Sequence, residues 1–262
     1  MLKVETVVEQ MKVGMSRPFL VVCDDEQQYV MKYSERRAEN SKALFNEFLG
    51  YKIIDILKLN HPEFQCAKLS QDTVSENTDL FDAEPKVGTV FVTKYHKYTP
   101  AAVPNILKSA TNIDTFLGII FYDQFIVNID RGDNRGNWLI DSKDMKLNVI
   151  DNDRILKQQQ FWTPATLKEI SKIPPFEIAA LEEVEYEYLL EAYGKTQGKH
   201  SFDHIVRKVK SISPAIVDEW LSDIPVDWFI TDTDQLAIKE FILFQVKHVE
   251  EIVDYLVVKF SI

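Results

Sequence analysis

Apolar and polar positions change period along the chain. Residues 3–12, KVETVVEQMK, fit a strand or a short helix. GMSRP (14–18) gives a turn signal through Gly14, Ser16 and Pro18. FLVVCDD follows as an apolar run of β-formers, DDEQQ is a polar turn, and YVMKY alternates as a strand does, which together predict a hairpin. Over 37–58 the period lengthens. Leu44, Phe48, Tyr51, Ile54 and Leu57 recur at steps of three and four, the stripe of an amphipathic helix. HPEFQCAKLS reads as a proline-marked turn and a further strand. TVSENTDLFDAEPK is polar, carries a proline and reads as a loop, and GTVFVTKYHKY reads as another strand.

Two prolines in YTPAAVPN then break the pattern, and helical periods dominate beyond it. An apolar helix is predicted over 111–126, with Thr111 or Asn112 as its cap. KLNVID reads as a short strand. Helices are predicted over 165–173, 176–193, 201–210 and 213–221, and a last one that begins after TDTD and runs to about Phe260. Its apolar residues cover much of its circumference, which predicts substantial burial. The expectation is an α+β chain with a small β-rich lobe, 1–98, and a larger, mainly helical lobe, 99–262.

Composition adds limits. The chain has 262 residues, 45% hydrophobic and 27% charged, which suits one large domain or two modest lobes. A formal net charge of −11 argues against general nucleic-acid binding, which needs basic surface. The short basic cluster RKVK (207–210) reads as a solvated helix face. Cys23 and Cys66 lack metal-ligand spacing and read as reduced, mostly buried thiols. The N-terminus lacks a signal-peptide pattern. The longest apolar run, FLGIIFYDQFIV, is interrupted by Asp123 and Gln124 and is too short to span a bilayer. The expectation is a cytoplasmic protein without membrane contact.

The chemistry concentrates in NIDRGDNRGNWLID (128–141), with Asp151 ending the next strand. Phosphoryl transfer needs an orienter or base for the attacking hydroxyl, hard oxygen ligands for Mg²⁺, and a cation on the nucleotide phosphates. Asp130, Asn137 and Asp151 offer the first two. A hairpin between Ile140 and Val149 would bring Asn137 and Asp151 to one end, with Asp130 facing them. Lys32, on a strand, and Glu47, fifteen residues later on a helix, offer the cation and its partner. Gly14 and Ser16 would cover the phosphates. Tyr95 and His96, in KYHK, either offer backbone groups to adenine or form a plain linker. Asp123 and Asn128 read mainly as loop-bracing groups, Asp133 as a solvated turn residue, and Asp153 has no preferred role.

These residues resemble the HipA-like kinase family, within the protein-kinase and phosphatidylinositol-kinase group. The resemblance rests on GMSRP, YVMK, FNE, FYDQFIVNIDRGDNRGNWLI, NVID and the late segment IVDEWLSDIPVDW, over roughly residues 10–230, and is strongest in YDQFIVNIDR. It implies a bilobal protein-kinase-like fold using ATP and Mg²⁺. Asp130 takes the place of the catalytic-loop aspartate and Arg131 that of its Asp-Arg partner. Asn137 and Asp151 match the metal ligands, Lys32 the phosphate lysine and Glu47 its partner. The implied activity is transfer of the γ-phosphoryl group to a hydroxyl of a protein (Ser/Thr) or a small-molecule acceptor. Two alternatives stand beside it. Arg135, where many kinases place the asparagine, and Asn152-Asp153 after Asp151 suggest a nucleotide-binding pseudokinase. The aspartate cluster alone would also suit a metal-dependent phosphodiesterase.

Overall fold

A computed structural model describes residues 1–11, 17–101, 103–131, 137–177, 181, 184–194 and 198–262. The β-rich part contains β1 (Leu2–Gln10), β2 (Phe19–Cys23), β3 (Gln28–Lys32), the helix α1 (Lys42–Leu57) and β4 (Phe64–Leu69). It continues through α2 (Gln71–Glu76), α3 (Thr78–Asp82) and β5 (Gly88–Lys94). The segment 3–12 is therefore mostly strand. The five strands close into a barrel in the order β1-β2-β3-β5-β4, because β1 also pairs in parallel with β4 through Leu2↔Ala67 and Lys3↔Lys68. That closure is non-local, and the alternation of single strands does not encode it.

Strand periodicity decides what faces where. On β3, Tyr29 and Met31 are buried in the barrel interior; on β5, Val90 and Val92 join them. The intervening Val30, Lys32, Phe91 and Thr93 point to the other side, into a cavity described below. The region read as a polar loop carries α2 and α3 instead. Polar residues act as caps: Ser70, just before that segment, accepts from Thr73 N through Oγ, and Asn77 within it accepts from Leu80 N through Oδ1. Polarity here signals helix starts rather than loop.

The helical part opens with β6 (Tyr98–Pro100), in a stretch expected to lack regular structure, and α4 (Pro104–Leu107). Next come α5 (Phe116–Ile126), β7 (Trp138–Asp141) and β8 (Leu147–Val149); β6, β7 and β8 form a small antiparallel sheet. Asn112 does not cap α5: its side chain holds Leu147, donating to its carbonyl at 3.0 Å and accepting from its N–H at 2.9 Å. Every residue of α5 is buried, and Val127 ends it in the left-handed conformation (φ 54°).

The remaining helices are α6 (Pro164–Ile170), α7 (Val184–Tyr193), α8 (Asp203–Lys210), α9 (Pro214–Ser222), α10 (Asp232–Lys247) and α11 (Val249–Phe260). The expected single C-terminal helix is thus two, separated at His248, where the backbone leaves helical geometry (φ −100°, ψ 16°). Neither Gly nor Pro marks the break. Each half buries one stripe, such as Ile238, Phe241 and Ile242 on α10, while Leu236 and Val258 are 56% and 79% exposed. No helix among the described residues is long and apolar enough to cross a membrane.

The helix α1 is wedged between the barrel and α5, so it is buried on most sides. The late segment around Trp228 returns to the barrel: Trp228 Nε1 donates to Thr89 O at 2.8 Å, and Ser41 N to Trp228 O at 2.9 Å. Cys23 and Cys66 are free thiols, raised to about 12 and about 11 first by burial and then by nearby aspartates. They do not ionise at neutral pH.

Candidate active site

Lys32 ends β3 on the face opposite Met31, and Glu47 faces it from α1, 1% exposed. The Lys32 ammonium bonds both Glu47 Oε1 and Asp151 Oδ1. Glu47 Oε1 also accepts from the backbone N–H of Asn152 at 3.0 Å, which ties α1 to the chain leaving β8. Gly50, one turn beyond Glu47, permits that approach. A Cβ there would lie 2.5 Å from Asn152 Cβ and 2.7 Å from the Tyr122 hydroxyl oxygen. Gly50→Ala should therefore destabilise the fold. Overpacking costs about 1–3 kcal/mol, against roughly 1 kcal/mol gained in helix propensity. Urea unfolding should show a lower midpoint, and an unchanged or higher one would refute the packing argument.

The chain from α5 to β7 is braced from beneath. Asp123 on α5 receives Arg131 Nε at 2.9 and 2.8 Å, Asn128 Nδ2 at 2.8 Å and the Tyr186 hydroxyl at 3.2 Å. Arg131 Nη1 donates to Ile150 O at 2.8 Å and Nη2 to Asn152 Oδ1 at 3.2 Å. Arg131 is 1% exposed and its guanidinium is spent on this brace. Expected beside Asp130 as a catalytic group, it instead turns its guanidinium away from Asp130 and into this brace. Its three partners hold the chain on either side of Asp151 against α5.

Above the brace, Asp130 N–H donates to Asn128 Oδ1 at 3.1 Å. Asp130 Oδ2 accepts from Asn137 Nδ2 at 3.0 Å, and Oδ1 from Arg154 Nη1 at 2.9 Å. The β7–β8 register, with Trp138 opposite Val149, sets Asn137 and Asp151 at the same end of the hairpin. Asp151 then turns in the left-handed conformation (φ 58°). The turn delivers Asp153, so that Glu47, Asp151 and Asp153 offer carboxylate oxygens within 4.8 Å of one another.

Electrostatics separates these carboxylates. Burial, the largest single influence, would raise Asp151, but Lys32, Arg131 and Arg154 together outweigh it, and the group is lowered and stays ionised. At Glu47 burial outweighs Lys32 and pushes the carboxyl up to about 7; burial also raises Asp153. Lys32 is held charged by Asp151 and Glu47 against the opposing effect of burial. Three carboxylates around one ammonium leave excess negative charge, which favours a cation.

A cavity of about 350 Å³ lies beside this group. Its apolar wall includes Val30, Phe91, Leu139 and Ile150; Lys32, Glu47, Asn137 and Asp151 line its polar end. Tyr95 and His96 also line it, and His96 Nδ1 lies 2.7 Å from Asp141 Oδ2. Gly14, Ser16, Asp133 and Arg135 lie outside the described residues. Arg154 and two of the three tyrosines of the cavity wall, Tyr51 and Tyr98, carry no signal as site residues in the sequence; Tyr51 reads only as part of a core stripe.

A family model described as HipA-like kinase matches residues 4–254. The chain belongs to the HipA-like kinase family. It is a phosphotransferase by that membership. Among solved structures, a proinflammatory kinase of Helicobacter pylori, CtkA, superposes with a TM-score of 0.61 at 13% identity, over 99% of this chain and 97% of that one. That likeness shows a shared kinase-like fold. The Golgi casein kinase is a more distant neighbour (TM-score 0.47, 12% identity, 96% of this chain, 74% of that one). Its form with Mn and ADP bound gives 0.49 at 11% identity, over 99% and 75%. No curated protein matches the chain.

Proposed function

We propose that this member of the family is an ATP- and Mg²⁺-dependent kinase that transfers the γ-phosphoryl group to a hydroxyl of a protein (Ser/Thr) or a small molecule. In this reading two lobes, 1–98 and 99–262, enclose the nucleotide, and the protein works in the cytoplasm. The observation that carries it is the Lys32 ammonium shared by Glu47 and Asp151 at the polar end of an otherwise apolar cavity. The donor set fits the implied group. Carboxylate and amide oxygens suit a hard divalent cation, a lysine suits phosphates, and the apolar wall suits a base.

When bound, Mg-ATP would supply the electrophilic phosphoryl group and neutralise its charge. Lys32 would bind phosphate oxygens, with Glu47 fixing its direction. Asp151 and Asn137 would hold the metal, with Asp153 within reach. Asp130, fixed by Asn137 and Arg154, would orient the acceptor hydroxyl and take up its proton on a carboxylate oxygen. The net charge of −11 argues against a nucleic-acid acceptor.

The test is calorimetric titration of ATP with Mg²⁺ into the wild type and Asp151→Ala. Binding to the wild type should disappear in EDTA. It should weaken at least about tenfold in the variant, the scale of one lost charge-assisted contact. Absence of magnesium-dependent binding to the wild type would remove the nucleotide reading. The residues after Asp151, Asn152 and Asp153, motivate a second reading, a nucleotide-binding pseudokinase, which predicts the same binding with no transfer.

A further inference from the structure

Three tyrosines line the cavity; Tyr95 is exposed, and the other two, Tyr51 and Tyr98, have no task in the reading above. Tyr51 lies on α1 one turn beyond Glu47, is 2% exposed and lines the cavity. Its ring packs on Phe64 and Phe91, with centroids 4.9 and 5.5 Å away. Its hydroxyl forms no hydrogen bond with any described residue. Tyr98, at the start of β6, lines the same cavity with its ring beside that of His96 (6.0 Å). Its hydroxyl is buried and has no partner among the described residues. The other buried polar side chains of the wall are engaged: Glu47 with Lys32, and Asn137 with Asp130. A buried hydroxyl is normally paired, so the Tyr98 hydroxyl, with the Tyr51 phenol lining the same cavity, calls for an occupant.

Their chemistry narrows that occupant. The Tyr51 phenol is pushed well above its ordinary value, first by burial and then by Glu47, with Tyr98 adding to the effect against Lys32. Burial and then Asp141 raise Tyr98. Both therefore remain O–H donors that seek an acceptor. Val30 of β3 and Leu139 of β7 reach the same cavity from different sheets and offer apolar surface to a flat ring. Lys32 and Asp151 mark where phosphates and metal belong, and a base would lie along the apolar wall that the two phenols border.

We infer that Tyr51 and Tyr98 form a hydrogen-bonding subsite that reads a purine base, donating to its ring-nitrogen or carbonyl acceptors and setting the nucleotide preference of this cavity. The inference rests on the nucleotide reading given under Proposed function. It treats the two tyrosines as specificity residues, with no part in the transfer step.

The experiment compares wild type, Tyr51→Phe and Tyr98→Phe by calorimetry with Mg-ATP, Mg-GTP and Mg-tripolyphosphate, and by thermal melting without ligand. Removing an unpaired hydroxyl should leave the Tm of the free protein unchanged or higher. Affinity for the preferred nucleotide should fall about three- to tenfold in at least one variant, the value of one hydrogen bond, and the ATP-to-GTP ratio should change. Tripolyphosphate binding should be unaffected. Equal nucleotide affinities in all three proteins overturn the subsite while leaving the kinase reading intact. An equal loss toward tripolyphosphate also overturns it, since the hydroxyls would then act on phosphates. So does a lowered Tm in both variants, which would mean that each hydroxyl serves the fold. If the wild type binds neither nucleotide nor tripolyphosphate, the kinase reading fails and the subsite with it.

Discussion

Replacing Asp130 with asparagine should lower phosphoryl transfer by about 10²–10⁴-fold, the usual contribution of a positioned general base. Magnesium-dependent ATP binding should stay within about twofold of wild type. The substitution is close to isosteric. The amide oxygen introduced by Asp130→Asn can still accept from Arg154, as Asp130 Oδ1 does at 2.9 Å. The new amide nitrogen meets Asn137 Nδ2, which donates to Asp130 across 3.0 Å, so that one hydrogen bond is lost while the Asn137 oxygen stays available to the metal. What the variant cannot do is take up a proton from the acceptor hydroxyl. Asp130 does not contribute to the cavity wall, whereas Lys32, Asn137 and Asp151 do, so nucleotide affinity should be spared. Single-turnover transfer of labelled phosphate, to an acceptor or to the protein itself, measures the first quantity and calorimetry the second. Undiminished transfer would remove Asp130 from the role of base. Intact binding with no transfer, in wild type as in variant, would favour the pseudokinase.

This geometry is legible in the sequence where spacing is local. Lys32 follows from two-residue alternation on β3, Glu47 from helical period on α1, and the two meet because α1 packs on the barrel. Asn137 and Asp151 follow from a hairpin whose short loop leaves one register, which the pairing Trp138↔Val149 shows. Contacts made at a distance are not legible. Barrel closure depends on Leu2 pairing with Ala67. Asp153 joins Glu47 and Asp151 only because Asp151 turns with a positive φ, and no glycine marks that turn. Arg154 reaches Asp130 across 24 residues of sequence. Asp-Arg adjacency misplaces Arg131 because it says nothing of direction: side chains of neighbouring residues diverge, and Arg131 points down to Asp123 while Asp130 points up to Asn137. Tyr51 fits a core stripe so well that the pattern hides its hydroxyl.

The buried pair beneath the site gives the largest expected effect on stability. Arg131→Met should cost about 3–5 kcal/mol, because it strands Asp123 as an uncompensated buried carboxylate. Asp123 is 0% exposed and keeps Asn128 and Tyr186 as donors, which soften the loss but carry no charge. The pH dependence has a definite sign. Burial already raises the Asp123 carboxyl above its ordinary value against the pull of Arg131. Removing Arg131 raises it further. A carboxyl raised on folding contributes stability below its unfolded value and loses it as pH rises through the folded one. The penalty of Arg131→Met should therefore grow from pH 5 to pH 8. Adding Asp123→Leu removes the stranded charge and should recover much of the loss, since replacing both members of a buried pair is often near neutral. Recovery should be incomplete, because Ile150 O and Asn152 Oδ1 still lack their guanidinium donors. Those two residues flank Asp151, so the double variant should fold yet bind Mg-ATP more weakly than wild type. Urea unfolding at the two pH values and calorimetry on the double variant separate these effects. A single-variant cost below about 1 kcal/mol, the scale of an exposed ion pair, would show that Asp123–Arg131 is not the brace described here.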